Sequence, residues 1–101
     1  MLFRSIFAAN DHVALGIMRA MAEQGRRIPA EVSLVGFDDV PEAGYFHPAL
    51  STIRQEFAEV GRQALRLLLD QLATGDDSAG SALVEPVLIP RDTVGPPPYR
   101  A

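Results

Sequence analysis

Residues 32–41 read VSLVGFDDVP, and the fold class follows from how that run is placed. Apart from Ser33, residues 32–37 are apolar or glycine, so an extended chain here is apolar on both faces. Such a strand belongs in a parallel sheet that is covered on both sides. The run stops abruptly at two adjacent carboxylates, Asp38 and Asp39, followed shortly by Pro41. Like charges side by side repel. Their place at the tip of a buried strand therefore calls for a reason: acid chemistry, a metal, a helix cap or a grip on a polar ligand.

Upstream, residues 5–9 (SIFAA) form a short apolar run that reads as another strand. Asn10 and Asp11 follow, and both residue types are good N-caps. Ala14, Ile17, Met18 and Met21 then recur at i, i+3, i+4 and i+7, one face of a helix. Gly25 is a natural stop for that helix, with Pro29 just beyond. Downstream, Pro41 can open a short helix, because its missing N–H is no loss in a first turn. Pro48 closes that segment, and residues 50–54 (LSTIR) read as a third strand. Residues 56–73 carry the longest helical pattern, with Phe57, Val60, Ala64, Leu67, Leu68 and Gln71 on a helical repeat. Leu65, Leu69 and Leu72 widen its apolar surface, and Gly75 ends it. Residues 76–81 (DDSAGS) are a polar loop. Residues 83–89 are a fourth extended segment interrupted by Pro86, which residues 92–94 can continue after Pro90.

This alternation of strands and helices predicts an α/β fold: a partial doubly wound, mainly parallel sheet with flanking helices. Residues 1–94 make up the folded part. Residues 95–101 (GPPPYRA) are expected to form a flexible, Pro-rich tail.

The 101 residues allow one domain or part of one. A net charge of −4 and a pI near 5.0 argue against a nucleic-acid-binding surface in this chain. All nine positive residues are arginines, which excludes a P-loop or a Schiff-base lysine. The absence of cysteine excludes disulfides, thiol catalysis and Cys-based zinc sites. His12 and His47 are too few and wrongly spaced for a metal centre, so neither metal nor cofactor is expected. The opening MLFRSIFAA is too short for a signal peptide or a membrane span, and a soluble chain is expected.

In open α/β sheets, ligands bind at the carboxyl ends of the strands. Asn10, Asp38 and Gln55 each come just after a predicted strand and would share that edge. An amide, a carboxylate and a second amide supply both donors and acceptors. That set suits a polyhydroxylated ligand better than a phosphate, which favours cationic or glycine-rich surroundings. Each residue also has a plainer role. Asn10 and Asp11 can simply cap the first helix, Asp38 and Asp39 the short helix at Pro41, and Gln55 can be solvated. His12 suits a first helical turn, His47 a loop, and Tyr45 and Phe46 a core or interface. The convergence of three polar residues, rather than any one of them, carries the ligand reading. Enzymatic readings fare worse. A phospho-accepting receiver domain needs a lysine on the same edge. A carboxylate-pair hydrolase needs two carboxyls facing across a bond, whereas Asp38 and Asp39 point to opposite sides if both are extended.

With these pieces placed, residues 6–93 resemble the LacI/GalR family of bacterial transcriptional regulators. The family's recurring patterns occur in order: A-N-D-x-x-A-x-G at residues 9–16, G-x-x-x-P through G-F-D-D at residues 25–39, P-x-L-x-T-i-x-Q at residues 48–55, and R-D-T at residues 91–93. Glu31 stands where aspartate is usual, and Ser51 replaces the first threonine of a T-T pair. The resemblance implies the type I periplasmic sugar-binding fold, two α/β subdomains with an effector in the cleft, of which this chain is the C-terminal part. It implies a cytoplasmic homodimeric regulator that reaches DNA through an N-terminal helix-turn-helix outside this chain. Asn10, Asp38 and Gln55 match effector ligands, and Phe57 matches a residue that can pack near the effector. Asp11 and Asp39 are expected to be structural, through caps and loop hydrogen bonds. Helical segments near the dimer axis match residues 14–22 and 42–46, which puts Leu15, Met18 and Phe46 near that interface. The exposed leucines of residues 56–73 would also favour contact with a partner copy. Half of a secreted sugar-binding protein of the same fold is the alternative.

Overall fold

The structure, a computed structural model, describes residues 4–75 and 80–97. Most of the expected loop at residues 76–81 and the end of the Pro-rich tail lie outside the described residues. The elements in order are β1 (Ser5–Phe7), α1 (Asp11–Glu23), β2 (Ser33–Val35), a 3-10 helix (Pro41–Tyr45), β3 (Thr52–Arg54), α2 (Phe57–Thr74) and β4 (Val87–Ile89). The chain divides into two compact units. Unit 1 comprises Met1–Arg54 with Val87–Ala101, and unit 2 is Gln55–Pro86.

Unit 1 is built on a parallel arrangement. β1 and β2 pair in parallel, Ile6 opposite Leu34. Parallel bridges join Val35 to Ser51 and Asp38 to Arg54, so β3 lies beside the far end of β2. Each named strand is only three residues long, shorter than the apolar runs suggest. Backbone pairing nevertheless continues past their ends, with Ala8 donating to the Val35 carbonyl, Gly36 to Ser51 and Asp38 to Ile53 at 2.8–2.9 Å.

The sequence does not show that β4 is antiparallel. It pairs with β3 in that sense, with Arg54 opposite Val87. Residues 55–86 form a compact unit of their own. An antiparallel neighbour needs no β-α-β crossover, so β4 returns beside β3 as the second arm of a hairpin does. The expected continuation at residues 92–94 is also placed. Thr93 accepts from the Leu34 N–H at 2.8 Å through its carbonyl, and Asp92 N–H donates to the Ala49 carbonyl at 2.9 Å.

The core sits between α1 and this sheet. Ala8, Ala14, Met18, Leu34, Ala43 and Leu50 are buried together, and Ile6, Ile17, Ile28, Val40 and Phe46 pack against them. Ala14 and Met18 come from the i, i+4 face that the sequence displays. Their small set of side chains fits a domain that buries a modest share of its surface. Thr93 joins the buried set. Its Oγ1 donates to the Leu34 carbonyl at 2.6 Å and accepts from the Ser51 N–H at 2.9 Å. A buried hydroxyl with both roles filled ties the R-D-T segment to β2 and β3 without orphaning a polar group. Gly95 is held in turn by Ser33, whose Oγ accepts from the Gly95 N–H at 3.0 Å.

In unit 2, α2 ends at Gly75, whose φ of 66° is the left-handed C-cap that glycine adopts without a Cβ clash. Its N–H donates to the Gln71 carbonyl at 2.8 Å. None of the α2 residues is buried. Phe57, Leu65, Leu68, Leu69 and Leu72 each keep half or more of their surface exposed.

Candidate functional site

The carboxyl ends of β1, β2 and β3 are assembled by one buried residue, Asp11. It stands in the first turn of α1 and is fully buried. Its Oδ2 accepts from the Val40 N–H at 2.8 Å and its Oδ1 from the Thr52 hydroxyl at 2.6 Å. The Asp11 N–H meanwhile donates to the Phe37 carbonyl at 3.0 Å. Charge-assisted bonds of this kind are among the stronger ones in proteins, and the positive end of a helix favours a carboxylate in its first turn. Gly36 makes this possible. A Cβ at that position would stand 2.3 Å from Asp11 Oδ1 and 3.0 Å from Leu50 Cδ2. The glycine of V-G-F-D-D is there for close approach.

Asn10 precedes Asp11 as the N-cap of α1, with extended backbone (φ −159°, ψ 174°). Its Oδ1 accepts from the Val13 N–H at 2.9 Å. The side-chain oxygen is thus engaged in capping, and the amide NH2 is the group Asn10 can offer to a ligand. The cap and the ligand role are compatible, because they use different atoms.

The two adjacent aspartates are not an extended pair. Asp38 has φ 120° and Asp39 has φ 59°. Both lie at positive φ, which L-residues other than Asn and Asp seldom adopt. Residues held in sparsely populated backbone regions cost on the order of 1–3 kcal/mol each and persist only where their surroundings enforce them. Asp38 keeps its N–H on the sheet, donating to the Ile53 carbonyl at 2.8 Å, and its side chain is partly exposed. The Asp39 carboxylate is spent within the protein. Its Oδ2 accepts from Arg54 Nε and its Oδ1 from Arg91 Nη1, both at 2.8 Å, and its side chain is only 8% exposed. Arg91 is fixed further by donating from Nη1 to the Leu50 carbonyl at 2.9 Å and from its backbone N–H to Ser51 Oγ at 2.8 Å. Burial pushes the Asp39 carboxyl up, but the hydrogen bonds and charges of Arg91 and Arg54 outweigh it and hold the pKa below the ordinary aspartate value.

Asn10 and Asp38 each follow one of the two paired parallel strands, Asn10 after β1 and Asp38 after β2, at their carboxyl ends. Gln55 and Phe57 belong to unit 2, where Gln55 accepts from the Phe57 N–H through its carbonyl at 3.0 Å and Phe57 is 60% exposed. Of the residues singled out for a subunit interface, Leu15 is exposed. Met18 lies in the core and Phe46 packs against it. His12 is exposed on α1, with its ring nitrogen 3.2 Å from a Glu42 oxygen. The arginine clamp on Asp39 is what sequence reasoning missed; the R-D-T segment at residues 91–93 signalled that Arg91 mattered but not where it reached. Among the described residues, no group of three or more His, Cys, Asp or Glu is placed to hold a metal, and no helix is long and apolar enough to cross a membrane.

The decisive comparison is with protein families: residues 4–94 match the periplasmic binding protein-like domain. The chain belongs to that family. Within it, the chain corresponds to part of a LacI/GalR-type effector-binding domain. It is 40% identical over 96 residues to the HTH-type transcriptional repressor PurR of Escherichia coli O1:K1, covering 95% of this chain and 28% of that repressor. The chain thus spans less than a third of the length of the curated repressors it matches. Among solved structures, a LacI family transcriptional regulator from Enterococcus faecalis V583 with bound ribose superposes with a TM-score of 0.84 at 31% identity, over 99% of this chain and 37% of that one. A dimeric Lac repressor superposes with a TM-score of 0.80 at 39% identity, over 92% and 34%.

Proposed function

We propose that this chain is the effector-sensing and dimerising portion of a cytoplasmic, sugar-responsive LacI-type repressor, without catalytic activity of its own. In this reading Asn10, Asp38, Gln55 and Phe57 contact the effector, and DNA is bound by a helix-turn-helix elsewhere in the parent protein. The observation that carries the reading is the division of labour between the adjacent aspartates. Asp39 is consumed by two arginines, while Asp38 follows β2 and Asn10 follows β1 at the carboxyl ends of paired parallel strands. A carboxylate can accept from two neighbouring hydroxyls at once, and an amide NH2 can donate to a third oxygen, the pattern a sugar presents. The ribose bound by the E. faecalis relative supports the same ligand class. No cofactor enters this function.

The test is a titration of the 15N-labelled chain with ribose, glucose and lactose at millimolar concentrations. The Asn10 and Asp38 amides should shift with at least one of them, and Asp38→Ala should abolish the response while helix content is unchanged. A response that survives Asp38→Ala would overturn the assignment. The homodimer is part of the proposal, with Leu15 on its surface and Met18 and Phe46 supporting that surface from within. Light scattering across a dilution series should report a dimer; a monomer at high micromolar concentration would refute it.

A further inference from the structure

We propose that Asp39 is a positioning residue for the ligand grip of Asp38: its carboxylate, clamped between Arg54 and Arg91, holds Asp38 in the left-handed backbone conformation that sets where its own carboxylate points. The inference rests on the reading of Asp38 as a ligand acceptor. It goes further in naming what holds that acceptor in place.

A φ of 120° at a non-glycine residue is sustained only if both flanks are fixed. On the upstream side, the Asp38 N–H is tied to the Ile53 carbonyl at 2.8 Å. On the downstream side there are two restraints. The Val40 N–H is bound to Asp11, and the Asp39 carboxylate receives one arginine on each oxygen. The arginine clamp is the restraint adjacent to Asp38. It joins two separate parts of the chain, the last residue of β3 and the segment after β4. It is also largely withdrawn from water, with Asp39 at 8% and Arg91 at 21% side-chain exposure, so salt screens it less than a surface pair. Arg54, at 46%, is the weaker arm. Without the clamp, Asp39 could leave the left-handed region, and Asp38 would relax with it toward ordinary negative φ. Apparent affinity falls in proportion to the binding-competent fraction, so relaxation to about one-tenth competent would cost about tenfold.

The experiment uses the 13C,15N-labelled chain with Asp39→Asn, Arg54→Ala and the conservative Arg54→Lys. Asp39→Asn keeps the side-chain shape and removes the charge, and Arg54→Ala keeps the Arg91 arm in case Asp39→Asn does not fold. The readouts are the Asp38 backbone couplings and carbon shifts, which report the sign of φ, and ribose affinity by titration. Asp39→Asn should move the Asp38 signals toward negative-φ values and weaken ribose about tenfold, with the core amides of Ala14 and Leu34 unchanged. Arg54→Ala should do so partially, and Arg54→Lys should restore both. A purely structural clamp would lower stability and leave the Asp38 signals alone, so wild-type Asp38 signals in folded Asp39→Asn would overturn the proposal. Ribose affinity unchanged in Asp39→Asn but lost in Asp38→Ala would overturn positioning and leave the ligand assignment standing. Ribose binding unaffected by Asp38→Ala would bring down the ligand assignment itself, and with it this inference.

Discussion

Replacing Gly36 by alanine should be the most damaging single-methyl change in unit 1. The added Cβ would stand 2.3 Å from Asp11 Oδ1, so the carboxylate must retreat by about 1 Å to reach ordinary van der Waals contact. That oxygen now accepts from the Thr52 hydroxyl at 2.6 Å, and a retreat of that size takes the pair outside hydrogen-bonding range. Breaking a buried bond to a charged group costs about 1.5–3 kcal/mol. The new Cβ also presses on Leu50 Cδ2 at 3.0 Å, an overpacking of a fully buried leucine worth about 1–3 kcal/mol. Together the loss is about 2.5–6 kcal/mol, a large fraction of the ~5–15 kcal/mol that holds a small domain folded. Urea unfolding followed by circular dichroism would measure it. A double-mutant cycle isolates the cause: in an Asp11→Ala background the same Gly36→Ala change should cost about 2 kcal/mol less, since the oxygen it strikes is gone. A loss below about 1 kcal/mol, or an equal loss in both backgrounds, would refute the close-approach argument.

Thr93→Val keeps the shape of the side chain but strands the Ser51 N–H in the interior and removes the donor to Leu34; it should cost about 2–4 kcal/mol in the same urea assay. Asp39 should leave a signature in the pH dependence of stability. Its folded pKa lies below the ordinary 3.8, so the unfolded chain takes up the proton first as pH falls. The stabilisation is fully present above that ordinary value and is lost as pH drops through the folded pKa. Urea midpoints measured across the acid range should therefore fall less steeply in Asp39→Asn than in wild type over that window, and equal slopes would contradict the clamp.

Much of this arrangement is legible in the residues themselves. The i, i+3, i+4 spacing places Ala14 and Met18 inward, Asn10 is where an N-cap should be, and Gly75 ends α2 with the left-handed turn its identity suggests. These are local signals, set by helix period and by side chains reaching their own backbone. What the sequence hides is long-range. Nothing in residues 83–89 tells a returning antiparallel strand from a parallel one, because direction depends on where the preceding 32-residue unit goes. The partners of Asp39 lie 15 residues away at Arg54 and 52 away at Arg91, and no periodicity links them. The positive φ of Asp38 and Asp39 is hidden for the same reason. Their conformation is imposed by those distant arginines and by the β3 backbone rather than by local preference. Within the candidate site, residue types pointed to Asn10 and Asp38, while the clamp emerged only with the fold.

The ties between β2 and the segment after β4 also govern when unit 1 can form. Leu34 is bonded to Thr93 across 59 residues and Ser33 to Gly95 across 62, and both links cross the whole of unit 2. Chains are made from the N-terminus at about 5–20 residues per second, and domains generally fold as units when their parts become available. On the ribosome, β1, α1 and β2 emerge early but stay unsealed for several seconds, with the Leu34 carbonyl and the Ser51 N–H lacking their partner. Closure waits for residues 87–95. A stall or cut within residues 76–86 would leave a half-built sheet with an open edge, a form open to pairing with another chain.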